Sequence, residues 1–592
     1  MKKSMIKNFG EIKVYSNVDS HVTMSRRELI KDVYVYEFLL SWDQEQARER
    51  DSKLTIVWEL PCVDVQYMWH PDCRPRRVLD SNWRLNLSSM LTGSAPVTCL
   101  FNGADQNIYT FAADEIKKVI SVQFGVEDSN NTITGEISVG LKQFPNQGED
   151  RLRVYADFRK VPYYQSLNDV RAWWEAVCGI VPMEVPETAT FPMYSSWYNF
   201  HQNITASELE EECKLAAELG MKAMIVDDGW QTADTNCGYG YCGDWEVCTE
   251  KIPDMREHVR RVHELGLKYI LWYSVPFVGY HSKNWERFRD KLLCRVERNE
   301  TGVLDPRYPE VREFLCSIYE NAVKEYDLDG FKLDFIDRFT MQEDDVIRPG
   351  MDYTCVQEAT NQLMTDIMRR LKAVKQDIMI EFRQRYIGPG MRQFGNIFRV
   401  SDCASDITIN RIGTVDLRLL SGNTAVHSDM LTWSDKETPE DAALQILNVI
   451  FGVIQFSKKI GQMTDAHKKM SAFWLGFAIR NRELLLHSQL IPYEPQYLYP
   501  VIMAKNKDVA VIGVYERGKI VTIENGIHKV SLINATKEAH LVLSFDVSRH
   551  GSATVYDCQG NVVRQEMVRF EKGLSEIQVP RSGLLEISEM IP

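Results

Sequence analysis

The sequence lacks several features that would fix its class at once. It has no uninterrupted apolar run of about 18 residues, which a membrane-spanning helix needs, so no membrane partner is expected. Positive charge is in deficit, with 69 Lys and Arg against 83 Asp and Glu and a formal net charge of -14. No basic stripe offsets that deficit, which argues against a nucleic-acid partner. The opening segment MKKSMIKNFGEIKVYS is basic but is not followed by the apolar stretch of a secretory leader. The 13 cysteines are an odd number scattered along the chain, which reads as reduced thiols and a cytoplasmic location. Cys237, Cys242 and Cys248 lie near one another but lack regular metal-ligand spacing, and neither a metal nor a cofactor is expected. Internal repeats and low-complexity runs are missing too. Ser428 in TAVHSDML has no G-x-S-x-G around it, so a serine nucleophile is set aside. Neither TAVHSDML nor VIQFSKKIGQ supplies the Gly-rich loop of a phosphate-handling barrel.

What is present is a long chain of 592 residues, enough for two to four domains. Hydrophobic residues make up 44% and charged residues 26%, as in ordinary globular proteins. The first part, to about residue 163, holds short β-branched and aromatic segments such as KLTIVWEL, VTCLFN and RLRVYADF, divided by polar turns. That pattern predicts an antiparallel β-sandwich. SLNDVRAWWEAVCGI, about 166–180, predicts a linking helix. From about 186 the rhythm changes to alternating strand and helix. PMYSSWYNF, KAMIVDDGW, KYILWYSVP, GFKLDFID, IMIEFRQ, NIFRVSDC, TAVHSDML and VIQFS give eight strand candidates, with amphipathic helices such as TASELEEECKLAAELG between them. Eight strands in βα alternation suit a (β/α)8 TIM barrel. After about residue 489, YPVIMAKN, VAVIGVYE, HLVLSFDV, ATVYDC and LLEIS predict a small second β-sandwich. The expected division is 1–185, 186–488 and 489–592.

In such a barrel the working residues stand at the C-terminal ends of the strands. A polar side chain buried inside a strand is costly unless something satisfies it, so strand-end polar groups are the candidates. The second strand ends in Asp227, Asp228, Gly229 and Trp230, whose carboxylates suit sugar hydroxyls; the plainer alternative is an Asp-Gly turn. The third strand offers Trp272. In GFKLDFID, Lys332 and Asp334 share one face by the period of two, with Phe331, Leu333 and Phe335 opposite. An ammonium beside an aspartate keeps it ionised, as a nucleophile requires. The alternative is a structural ion pair. Asp337 lies beyond the strand as a helix-cap candidate. Glu381, Arg383 and Gln384 end the fifth strand as sugar-binding or structural groups, and Arg399, Asp402 and Asp406 end the sixth. Asp402 stands where an acid catalyst should, with Asp406 further into the loop. His427 and Asp429 would rim the pocket, and Trp197 would form a stacking wall unless it is a core residue.

These residues resemble glycoside hydrolase family 36, the α-galactosidases and their relatives. YSSWYNF, MIVDDGW, GFKLDF and FRVSDCASD are similar to the family's successive strand motifs, in the same order, over roughly residues 190–410. The ordered set is specific where K-x-D alone is weak. The resemblance implies that Asp334 is the nucleophile and Asp402 the general acid/base of a retaining exo-α-glycosidase. Asp227 and Asp228 would hold the C4 and C6 hydroxyls, Lys332 would bond a ring hydroxyl, and Trp197 would close the apolar side. Retention asks for two carboxyl groups about 5–5.5 Å apart, Asp334 charged and Asp402 with a raised pKa. Two departures concern specificity. EFRQRYIGPGMRQFG replaces the Cys- and Gly-rich stretch that many members carry near the C2 hydroxyl, and LWYSVPFVG lacks a frequent Pro-Glu. The expected substrate is an oligosaccharide or other α-galactoside. An α-N-acetylgalactosaminide, an α-glucoside, transglycosylation and a non-catalytic carbohydrate-binding barrel stay open. So does a homo-oligomer in which the Trp-, His- and Arg-rich segment 68–83 approaches a neighbour's site.

Overall fold

The computed structural model describes residues 4–49, 51–72, 75–79, 81, 87–144, 148–342, 346–383 and 387–591. Gln384 lies outside the described residues. The chain is a central parallel barrel, as the alternation of its sequence predicts, preceded by antiparallel sheets and followed by two mainly antiparallel ones that each include one parallel pair. Two six-stranded sheets precede the barrel. Their strands alternate buried and half-buried positions, as in Thr132–Gly140, so each sheet turns one face inward. Trp58, Phe38, Phe111 and Phe124 fill the space between the two sheets. A helix, Tyr163–Cys178, leads to the barrel and ends at Gly179 in the left-handed conformation (φ 65°) that glycine tolerates.

The barrel strands are β1 (Met193–Ser195), β2 (Ala223–Val226), β3 (Lys268–Ser274), β4 (Gly330–Asp334), β5 (Met379–Arg383), β6 (Ile397–Arg399), β7 (Ala425–His427) and β8 (Gln455–Phe456). Each pairs in parallel with the next along the series from β1 to β7, and β1 also pairs with β8. The β7–β8 seam closes through Val453 N–H to Val426 O (2.8 Å) and Ser428 N–H to Val453 O (2.9 Å). The helices between them include α1 (Ala206–Glu218), α2 (Met255–Glu264), α3 (Pro309–Tyr326), α4 (Val356–Val374), α5 (Ile407–Ser421), α6 (Pro439–Leu447) and α7 (Asp465–Arg480). Thr205, Asp254, Asp406, Thr438 and Thr464 cap α1, α2, α5, α6 and α7 with side-chain oxygens. Asp406 is therefore a helix cap. A three-stranded antiparallel insert, Phe277–Gly279, Leu292–Val296 and Thr301–Leu304, follows β3 and was not legible in the sequence.

Met193, Ala223, Ile225, Ile270, Met379, Ile397 and Ala425 pack together as an apolar plug in the barrel. The polar residues of the lumen belong to other layers. Beyond α7 a seven-stranded and a three-stranded sheet enclose Ile512, Leu532, Leu543 and Phe545. We propose the division 1–185, 186–488 and 489–592 because it leaves each of these sheet systems whole.

The three parts meet at one buried polar knot. Asp416 on α5 accepts hydrogen bonds from Arg77 Nη2 (2.8 and 2.9 Å), Trp69 Nε1 (3.0 Å) and the Tyr499 hydroxyl (2.5 Å). All four side chains are buried. Within segment 68–83, Trp69 and Arg77 are buried in the interior of their own chain. The 12 described cysteines are all free. Among the described residues, no helix is long and apolar enough to cross a membrane.

Candidate active site

Strand parity brings most of the expected residues into one lumen. On β4, Phe331 and Leu333 join the apolar core outside the barrel, so Lys332 and Asp334 must point inward. Lys332 lies beside Trp272 of β3 and Glu381 of β5 in register, and Asp334 lies beside Ser274.

Two layers result. The lower one centres on Lys332, whose Nζ donates to Asp227 Oδ2 at 2.5 Å, both groups being buried. Burial disfavours the ammonium, but the negative charges of Asp227, Asp334 and Glu381 together outweigh it and raise the Lys332 pKa. Glu381, also buried, faces Arg399 Nε at 3.4 Å and accepts from Gln455 Nε2. Burial raises the Glu381 pKa against the pull of Arg399 and Lys332. His427 is buried, with Nε2 on the Ala189 carbonyl at 2.8 Å and Nδ1 facing Gln455 Nε2 at 3.1 Å. Burial lowers its pKa to about 4. His427 therefore belongs to the lumen packing, where the sequence suggested a rim position.

The upper layer holds the two candidate catalytic carboxylates. Asp334 Oδ1 accepts from Arg383 Nε at 2.5 Å and from the Phe335 N–H at 2.7 Å, and Oδ2 accepts from Trp272 Nε1 at 3.2 Å. Phe335 sits at φ 63°, ψ 16°, a left-handed conformation that a bulky residue adopts only under strain. Burial pushes the Asp334 pKa up, but Arg383 and Lys332 outweigh it and hold the group at about 2. The sequence assigned this stabilisation to Lys332. Lys332 does contribute, but the hydrogen-bonded ion partner of Asp334 is Arg383, while Lys332 makes its own short contact with Asp227.

Asp402 follows β6 with its side chain 55% exposed, and Oδ1 accepts from Arg399 Nη2 at 2.9 Å. The raised pKa expected of an acid catalyst is not found: burial alone would raise it, but Arg399 and Lys332 overcome both burial and the charge of Asp334, so the pKa is lowered. Arg399 is itself clamped. Its Nη1 donates to Asp429 Oδ1 at 2.5 Å and to the Val400 carbonyl at 2.9 Å. Asp429 also accepts from the Tyr198 hydroxyl (2.7 Å) and the Cys403 N–H (2.6 Å). Asp429 is buried in this clamp instead of rimming the pocket.

Asp228 accepts from Gln202 Nε2 at 2.8 Å and Gln231 Nε2 at 2.7 Å. Burial raises its pKa to about 6, assisted by Asp227 and resisted by the two glutamines. The Asp-Gly step needs its glycine. Gly229 has φ 114°, and a Cβ there would stand 2.5 Å from Gln202 Cα. Trp197 is half-buried on the short turn after β1, with its ring 4.8 Å from His201, compatible with a stacking wall. Trp230 is not placed to face a sugar. It is fully buried, its Nε1 donates to the Trp272 carbonyl at 2.9 Å, and its ring packs on Trp245 and Tyr273. The parity of β3 and the N–H of Trp272 make that residue a support for Asp334.

Sequence reasoning missed Tyr198, Gln202, Gln231 and Tyr239. Tyr239 lies in the loop after β2 and packs against Trp272 (6.4 Å) and Phe335 (5.1 Å). No period or motif marks a loop residue of this kind. Only the adjacency of Gln202 to the YNF turn and of Gln231 to DDGW hints at theirs. Among the described residues no group of three or more His, Cys, Asp and Glu is arranged to hold a metal.

A parallel eight-stranded barrel with aspartates at its strand ends and β-sheet domains on either side is the architecture of the family 36 α-galactosidases. Over 98% of its length the chain superposes on α-galactosidase AgaA from Geobacillus stearothermophilus, covering 83% of that chain, with a TM-score of 0.65 and 14% identity. It superposes equally on an AgaA variant crystallised with raffinose, covering 99% of this chain and 84% of that one, with a TM-score of 0.64 and 14% identity. In sequence, it is 30% identical over 154 residues to α-galactosidase Mel36A of Lactobacillus acidophilus, 24% of this chain and 20% of that protein. The chain thus matches about a fifth of the length of such curated relatives. The Melibiase family model matches residues 187–488, and the chain belongs to that family.

Proposed function

We propose that the protein is a retaining exo-α-glycosidase that removes terminal α-galactosyl residues from oligosaccharides or simpler galactosides by double displacement. The contrast between its two strand-end aspartates carries the reading. Asp334 is buried, ion-paired and held at about 2, so it is ionised at any physiological pH, as a nucleophile must be. Asp402 is half exposed and can exchange protons with solvent.

In the first half-reaction a carboxylate oxygen of Asp334 bonds to the anomeric carbon. The bond to the leaving oxygen breaks, and that oxygen takes the Asp402 proton. In the second half-reaction Asp402 takes a proton from water, the water oxygen bonds to the anomeric carbon, and the ester to Asp334 breaks. Because Arg399 favours the Asp402 carboxylate, the acid form has to gain ground when a bound sugar displaces water and strengthens the effect of burial. Asp227 and Asp228 carry acceptor oxygens suited to hydroxyls, and Trp197 and Tyr239 offer ring faces. The α-galactosidase names of the relatives support the choice of sugar.

The test is release of nitrophenol from the α-galactoside, α-N-acetylgalactosaminide, α-glucoside and β-L-arabinopyranoside, by wild type, Asp334→Ala and Asp402→Ala. Wild-type turnover of the α-galactoside alone, lost in both variants, is expected. Preference for the N-acetyl sugar would move the specificity, and full activity of Asp334→Ala would overturn the proposal.

A further inference from the structure

Arg383 stands where it can act on the fate of a covalent intermediate. It extends from the end of β5, the strand beside that of Asp334, and its guanidinium lies 5.0 Å from the centre of the Phe335 ring. Its Nε reaches Asp334 Oδ1 at 2.5 Å. The same oxygen receives the Phe335 N–H, turned onto it by the left-handed backbone at that residue. Oδ1 is thus gripped by one charged donor at the end of β5 and one backbone donor just past the end of β4. The other oxygen has the indole N–H of Trp272.

Such a grip has opposite consequences for the two half-reactions. A guanidinium on a carboxylate stabilises the anion, so it weakens the carboxylate as a nucleophile and improves it as a leaving group. Once the anomeric carbon is bonded to Asp334, the ester is neutral and the hydrogen bond from Arg383 loses most of its strength. When water attacks, the bond between the anomeric carbon and the carboxylate oxygen breaks and its electron pair returns to Asp334. Negative charge then grows against a donor already in place, at no reorganisation cost.

We infer that Arg383 is a catalytic residue of the second half-reaction, stabilising Asp334 as it departs from the sugar. The inference rests on Asp334 being the nucleophile. It assigns to this arginine a duty beyond contact with the sugar, the role its strand-end position alone suggested.

The experiment uses the full chain, as wild type, Arg383→Gln and Arg383→Lys, with a dinitrophenyl α-galactoside whose good leaving group keeps the first step fast. Arg383→Gln is expected to release a burst of dinitrophenolate matching the enzyme concentration, followed by a steady state at least tenfold slower than wild type. KM should fall with kcat, the glycosyl adduct should appear on the peptide carrying Asp334, and azide should accelerate the slow phase. Arg383→Lys, which keeps the charge, should restore part of the rate and guards against misfolding of the glutamine variant. A lower kcat with KM unchanged or raised, and no adduct in either variant, would overturn the inference and leave Arg383 a binding or structural group. Absence of any turnover by wild type would defeat the glycosidase reading itself, and this inference with it.

Discussion

Replacing Lys332 by methionine isolates the buried pair on which the lower layer of the site is built. Methionine keeps most of the apolar stem and removes the ammonium that sits 2.5 Å from Asp227 Oδ2. The gross attraction of two unit charges at that separation is about 7 kcal/mol at an effective dielectric constant near 20. Much of it only repays the desolvation of both groups, so the pair contributes far less in net terms. Removing one partner is the expensive change, because Asp227 is left charged and buried with the Asp228 N–H (2.9 Å) on its other oxygen. The expected loss is about 3–5 kcal/mol. The double variant Asp227→Asn/Lys332→Met leaves no stranded charge and should recover most of that loss. The assay is urea unfolding followed by tryptophan fluorescence, with wild type, both single variants and the double variant treated as one cycle. A Lys332→Met protein within about 0.5 kcal/mol of wild type, or a double variant no more stable than Lys332→Met, would refute the account of this pair.

Two further outcomes follow from the buried groups. The Asp228 pKa is raised to about 6 from an unfolded value near 3.9, so its contribution to stability is complete below about pH 4 and is lost as pH rises through 6, by about 3 kcal/mol at neutrality. Asp228→Asn should flatten that slope, which unfolding midpoints between pH 4 and 7 would reveal; an unchanged slope would contradict it. Asp416→Asn strips the buried Arg77 of its carboxylate partner and should cost about 3–5 kcal/mol. Because the knot joins all three parts of the chain, calorimetry of that variant should resolve transitions that coincide in wild type, and a single unshifted transition would contradict the knot's role.

The fold was legible because its signals are long-range and repetitive. Eight strand candidates alternating with helices leave little choice but a barrel, and each became a barrel strand. The site was legible where parity decides direction, as for Lys332 and Asp334, whose neighbours Phe331 and Leu333 are apolar. It was misread where parity gives no partner. The sequence cannot say that Arg383, 49 positions away, captures Asp334 while Lys332 turns to Asp227. Trp230 was drawn into the site by its place after Asp227 and Asp228. In the turn through Gly229 (φ 114°) the indole instead reaches the backbone of β3, donating to the Trp272 carbonyl. The acidic shift at Asp402 was missed for the same reason. Arg399 was noted as a strand-end residue, but its orientation by Asp429, Glu381 and Asp402 together appears only in three dimensions.

The central claim is that Asp334 forms a bond to the sugar, and stereochemistry tests it most directly. Asp334→Ala given an activated α-galactoside and azide should regain turnover and yield the β-galactosyl azide, the small anion entering from the face the carboxylate occupied. No rescue by azide in a folded Asp334→Ala protein that hydrolyses the substrate as fast as wild type would contradict the account.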